Sequence, residues 1–165
     1  MAAATESMIA ALEQNWEMVD AALDGMDEAT MAQQPNDQSN SAAWILWHMN
    51  RVVDTFVHTR LRRMPQLWIT ERWHQKFGMG DDPDNRGVGW TAAQVAAWLP
   101  PSRDIQMGYY HAVKTAARAF LASLTSEDLE RRLVLPLVPE PRPVATFNPA
   151  RRHSSTAYSY NLCAS

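Results

Sequence analysis

SAAWILWHMNRVVDTFVHTRL, residues 41–61, contains neither proline nor glycine, and either its first residue, Ser41, or Asn40 just before it can cap a helix. It predicts one long helix. At about 100° per residue, Ile45, Met49, Val52 and Phe56 fall within one narrow arc, the expected core stripe. His48 stands roughly 80° off the centre of that arc, on a strip with Trp44, Arg51 and Thr55. An imidazole at the edge of an apolar face, with an arginine one turn on, makes His48 the first candidate for chemistry.

Outward from this helix, the pattern supports two further long helices. Met8, Leu12, Trp16, Val19 and Leu23 keep helical spacing from a cap at Thr5 to a stop at Gly25. Ile105, Tyr109, Val113, Ala116, Phe120 and Leu124 share one face of a helix over 102–124. Between them, Pro65–Phe77 predicts a short helix carrying Trp68 and Trp73, and Gly78–Gly89 a loop. Thr91 with Gln94 forms a capping box for another short helix ending at Pro100. Thr125 and Asp128 start one more turn.

Pro136, Pro139, Pro141, Pro143 and Pro149 forbid a long helix near the end, and RRHSSTAYSYNLCAS has no helical period. The expected organisation is therefore a helical bundle over 1–135 and a Pro-rich segment with an irregular tail over 136–165. The fold class is all-α, an up-and-down bundle with an incomplete fourth element. About forty residues join the second and third long helices, a length often given to lids or cleft walls.

The 165 residues suit one domain with a single core. A formal net charge of −3 provides no basic field for nucleic acid or anionic lipid. No apolar run approaches membrane-spanning length, and the N-terminus lacks a basic signal region. The one cysteine, Cys163, cannot form an intrachain disulfide, and its terminal place argues against nucleophilic cysteine chemistry. These features point to a soluble cytoplasmic protein.

The other candidates have plainer accounts. Asp54 lies about 120° from His48 and one turn from both Arg51 and His58, so a surface polar row is expected, with His58 facing outward. His111 falls opposite its helix stripe; His74 packs among aromatic residues; His153 stands in the tail. Asp81, Asp82 and Asp84 lack the spacing and final Glu of an EF-hand and suit a solvated turn. Arg60, Arg62 and Arg63 gather at a helix end, where the dipole favours cations. No Gly-rich phosphate loop, G-x-S-x-G elbow or C-x-x-C occurs.

SAAWILWHMNRVVDTFV resembles the second-helix signature of the DinB-like (DinB/YfiT) superfamily, actinobacterial type: a Trp-His pair, then Arg, then Asp, matched by Trp47-His48, Arg51 and Asp54. RRMPQLWITERWHQKFGMGDD and GVGWTAAQVAAW resemble the excursion of the same branch, and the likeness covers Met8–Leu133. It implies a four-helix bundle with a divalent metal, zinc or nickel, on three histidines, the first of them His48. Characterised relatives include thiol-dependent transferases and isomerases, such as the mycothiol-dependent maleylpyruvate isomerase, and metal-dependent hydrolases. Their metal polarises substrate or activates a thiol or water.

The other two ligands of that pattern form an H-x3-H pair on a fourth helix, and no H-x3-H exists in this sequence. Two function classes remain. One is a metal-dependent transferase or hydrolase with an impaired site, His48 as ligand and Arg51 as anion anchor, acting on a small molecule with or without a thiol cofactor. The other is a non-catalytic binding or oligomerisation protein with a Trp-lined groove for a small apolar ligand or a partner chain. Three stripes shaped for a four-helix core leave apolar surface uncovered, so a homodimer is expected.

Overall fold

The computed structural model describes residues 3–130, which are helical with no strand among them. The expectations for the tail over 136–165, for His153 and for Cys163 lie outside the described residues. Helix α1 spans Ala3–Leu23, α2 Glu28–Ala32 and α3 Ala42–Asp54, which continues as a π-helical stretch over Thr55–Arg62. The excursion holds α4 (Leu67–Thr70), α5 (Trp73–Lys76) and α6 (Ala92–Ala97); α7 (Arg103–Ser123) and α8 (Ser126–Glu130) follow.

Local chemistry sets most boundaries. The Ser41 hydroxyl caps α3 by accepting from the Trp44 N–H at 3.2 Å. Thr91 and Gln94 cap α6 reciprocally, as their spacing predicts. The pair Thr125 and Asp128 does the same for α8. Gly25, at φ 70°, closes α1. Thr5 does not cap α1; the helix already runs at Ala3 and buries that side chain. Pro65–Phe77 forms two single turns instead of one helix, because Arg72 adopts a left-handed conformation at φ 54° between them.

Long-range contacts give the helix directions. Arg51 meets Tyr109 and Arg62 lies over Phe120, so α3 and α7 run in the same sense. Asp20 pairs with Lys114 and Glu13 with Arg118, so α1 runs against α7. The long excursion makes this possible, since it returns the chain to the starting end before α7 begins. Two apolar clusters result. Trp16, Leu23, Met31, Leu46 and Tyr110 knit α1, α2, α3 and α7 together. Trp44, Trp47, Trp68, Trp73 and Tyr109 join α3 and α7 to the excursion.

Helix α3 is turned away from its expected orientation. Ile45, Met49 and Phe56 are 45%, 41% and 50% exposed, and Val52 is half-buried, so the most apolar arc is not the core stripe. The inward side carries Ala43, Leu46, Trp47, Asn50, Arg51 and Asp54. Arg51 and Asp54 can be buried because they find polar partners in the excursion, which no periodicity count registers. The π-helical stretch, with its i→i+5 bonding, also shifts the phase of the chain, and Val57 and His58 face inward. His58 is thus a buried residue, not an outer-face one.

Candidate functional site

Helix α3 presents Trp44, Trp47, His48, Arg51 and Asp54 at three- and four-residue spacing to the excursion, and each polar member holds part of it. The His48 Nδ1–H donates to the Arg86 backbone carbonyl, and its ring stacks on Trp44 with centroids 4.9 Å apart and planes 10° from parallel. A carbonyl only accepts, so Nδ1 carries the proton and Nε2 keeps the lone pair in the neutral ring.

Arg51 is fully buried and holds the loop from inside. Its Nε donates to the Asn85 carbonyl at 3.1 Å and Nη2 to the Pro83 carbonyl at 2.9 Å. Nη1 donates to Gln66 Oε1 at 2.7 Å and to the Tyr109 hydroxyl at 3.3 Å. The guanidinium also lies 4.5 Å from the centre of the Trp68 ring. Four of its five N–H groups are therefore committed to protein oxygens. Engaged in this way, the guanidinium anchors the loop from within the fold.

Asp54, equally buried, caps an element other than its own. Its Oδ1 accepts from the Leu67 N–H at 3.0 Å and its Oδ2 from the Trp68 N–H at 2.9 Å, which satisfies the first donors of α4. Oδ2 also accepts the Tyr109 hydroxyl at 2.8 Å and lies 3.6 Å from Arg51 Nη1, while His58 Nδ1 approaches Oδ1 at 2.8 Å. The expected surface row is thus a buried network binding α3, α4 and α7 together. Gln66 extends it, donating to Thr59 and to the Pro83 carbonyl.

Burial, with the Asp54 carboxylate beside it, pushes the Tyr109 phenol well above its ordinary value of 10.0. A pKa raised by folding contributes stability that is whole below the unfolded pKa and is lost as pH rises past it. Tyr109 therefore stabilises the fold below pH 10.0 and destabilises it progressively above. Urea unfolding from pH 8 to 11 is expected to show a steeper alkaline loss in the parent than in Tyr109→Phe. Equal slopes would remove Tyr109 from this role.

The sequence does not mark Tyr109 and Gln66 as polar partners of this network. Tyr109 sits on the core stripe of α7 and reads as apolar, and nothing local marks Gln66. Trp47 and Trp68 are essentially inaccessible, and Trp47 packs against Trp90 and Trp98 with centroids 5.3 and 5.5 Å away. These indoles pack together beneath the excursion.

The imidazole orientation at His48 suits a metal ligand, since ligating histidines commonly give their other N–H to a carbonyl. The remaining described residues do not complete a centre: no three His, Cys, Asp or Glu side chains among them come together to hold an ion. His58 is engaged with Asp54, His74 Nδ1 with the Trp68 carbonyl at 2.9 Å, and His111 is exposed on α7. Asp81, Asp82 and Asp84 are exposed, as a solvated turn requires. A three-histidine zinc or nickel site is not assembled by residues 3–130.

No described helix is long and apolar enough to cross a membrane. No curated protein matches the chain. A solved structure, described as the conserved protein of locus from Enterococcus faecalis, is similar to it with a TM-score of 0.66 and 21% identity, over 74% of this chain and 72% of that one. At that identity the likeness speaks to the fold. The model of the DinB superfamily matches residues 11–150, most of the sequence and all of the α3–α7 framework just described. The chain belongs to the DinB superfamily.

Proposed function

We propose that this chain is a non-catalytic member of its superfamily, a helical binding and association protein that works through the outward face of α3. One observation carries the proposal: Ile45, Met49 and Phe56 stand about half-exposed in a row on a helix whose other side is fixed to the excursion. Large apolar side chains aligned on one rigid face mark an interaction site more often than single exposed residues do. The Trp-His-Arg-Asp block supports the same view, because Arg51 and Asp54 are consumed in building the scaffold beneath that face. Titration with the apolar dye bis-ANS tests it. Saturable binding that weakens at least tenfold in Met49→Asp is expected, and equal binding by both proteins overturns the proposal.

A second reading, a zinc- or nickel-dependent transferase or hydrolase, is favoured by the ring of His48, held by Trp44 and by its Nδ1 contact with the Arg86 carbonyl. The further ligands would come from beyond residues 3–130 or from a second subunit. When bound, such a metal supplies Lewis acidity toward a small substrate, a thiol or water. Metal content of untagged protein after dialysis against zinc or nickel decides between the two. One equivalent in the parent, lost in His48→Ala, establishes the metal reading; less than a tenth of an equivalent in both excludes it.

A further inference from the structure

We infer that the corner of the fold where the loop over residues 83–89 crosses α3 binds a small carboxylate, held between the indole N–H of Trp44 and the guanidinium of Arg86. Two orphan donors point to it. Trp44 is 8% exposed, and its Nε1–H is sealed from solvent with no acceptor. Arg86 is half-buried, and its Nε–H is equally sealed and equally without an acceptor. Buried donors in folded proteins are nearly always paired, so two orphans in one corner mark where an acceptor belongs. His48 ties them together: it stacks on Trp44 with centroids 4.9 Å apart and donates from Nδ1 to the Arg86 carbonyl. The site stands apart from the outward face of α3 and does not depend on it.

The loop runs along the donor edge of the Trp44 ring. A Cβ placed on Gly87 would stand 2.7 Å from Cζ2 of Trp44 and 3.3 Å from Cε2, the ring carbon bonded to Nε1. The same Cβ would stand 2.8 Å from Cζ3 of Trp47, on the edge away from that ring's own N–H, so Trp47 is not part of the donor pair. The chemistry of the two donors selects the ligand. Among the described residues Arg86 makes no ion pair, and a guanidinium without a counterion calls for an anion. Arg51 contrasts with it, since its Nε already meets the Asn85 carbonyl. A carboxylate offers two oxygens in one plane, one for each N–H. A tetrahedral phosphate would press further oxygens into a corner flanked by the carbon faces of Trp44 and Trp90, whose rings lie 6.3 Å apart. Entry requires the loop to lift, and Gly87 and Gly89, at φ +79° and +80°, are the residues at which its backbone turns.

Proton–nitrogen correlation spectra of the full chain, titrated with sodium acetate at fixed pH and ionic strength, test this. The Trp44 indole cross-peak, assigned by its absence from Trp44→Phe, is expected to move saturably, with a Kd on the order of 1 mM for so small a ligand. The Arg86 Nε–H cross-peak is expected to move with the same midpoint, a readout that needs no variant. Arg86→Gln keeps the backbone carbonyl that His48 holds and is expected to weaken binding about tenfold or more, the scale of a charge-assisted hydrogen bond. Arg60→Gln removes the same charge from the π-helical stretch and should bind as the parent does; matching circular dichroism spectra establish that both variants fold. A Trp44 cross-peak that stays in place up to about 100 mM acetate, a hundredfold above the expected Kd, overturns the inference. So does an equal response in Arg86→Gln, or an equal response to sodium chloride. Inorganic phosphate binding as tightly as acetate overturns the assignment of a carboxylate.

Discussion

Arg51→Ala is expected to destabilise the fold by about 3–5 kcal/mol, the usual cost of removing one partner from a buried ion pair. The pair itself is worth less than this, since desolvation offsets much of its attraction. The loss comes from what is left behind. The Pro83 and Asn85 carbonyls and Gln66 Oε1 lose a donor, and the Asp54 carboxyl, at zero exposure, loses the guanidinium beside it. Asp54→Ala should cost a similar amount by the opposite route, stranding the Leu67 and Trp68 N–H groups and a buried guanidinium. The double variant is expected to cost about 1–3 kcal/mol less than the two singles combined, because neither then leaves a lone charge.

Arg51→Lys should recover little, since one ammonium cannot reach the four oxygens that the guanidinium fork reaches. Urea unfolding checks all four variants. Tryptophan emission reports the excursion, which holds Trp68, Trp73, Trp90 and Trp98, while far-ultraviolet circular dichroism is dominated by α1, α3 and α7. In Arg51→Ala the emission transition is expected to precede the dichroism transition. A loss under about 1 kcal/mol, within the range of ordinary surface changes, would show that the network does not hold the excursion.

The three long helices, the Ser41 cap and the Thr91–Gln94 box are legible in the sequence because each is decided by residues within a turn or two. The rotation of α3 is not. Counting apolar residues ranks Ile45, Met49 and Phe56 above Arg51 and Asp54, and the ranking fails because both charges find partners far along the chain. Arg51 reaches Pro83, Asn85 and Tyr109, and Asp54 reaches Leu67, Trp68 and Tyr109. An arginine and an aspartate three apart on a helix look the same in sequence whether they face solvent or a packed loop.

The same blindness explains why His48 was legible as a candidate and its Arg86 partner was not. The Trp-His-Arg-Asp spacing does identify one face of α3. That face fastens the excursion, and the helix turns its more apolar side to solvent.

Gly87→Ala is expected to cost about 2–5 kcal/mol, the combined effect of a strained backbone and an overfilled site. Gly87 sits at φ +79°, and a Cβ there would stand 2.7 Å from Trp44 Cζ2 and 2.8 Å from Trp47 Cζ3. Neither ring can yield cheaply: Trp47 is wedged among Trp44, Trp68, Trp90 and Trp98, and Trp44 is stacked on His48. Gly89 supplies the internal control. It has nearly the same backbone, φ +80°, but nothing within 4 Å of its Cβ position. Gly89→Ala should therefore show the conformational cost alone, about 1–2 kcal/mol. The difference between the two variants measures how tightly the loop is pressed onto the indoles. Because Arg86 precedes Gly87, the displaced loop also carries away the carbonyl that fixes His48, and the ring is expected to lose its single tautomer. Thermal unfolding gives the first effect and 15N shifts of the His48 ring the second. Equal losses from the two glycine variants, with an unchanged His48 spectrum, would mean that the loop does not rest against Trp44 and Trp47.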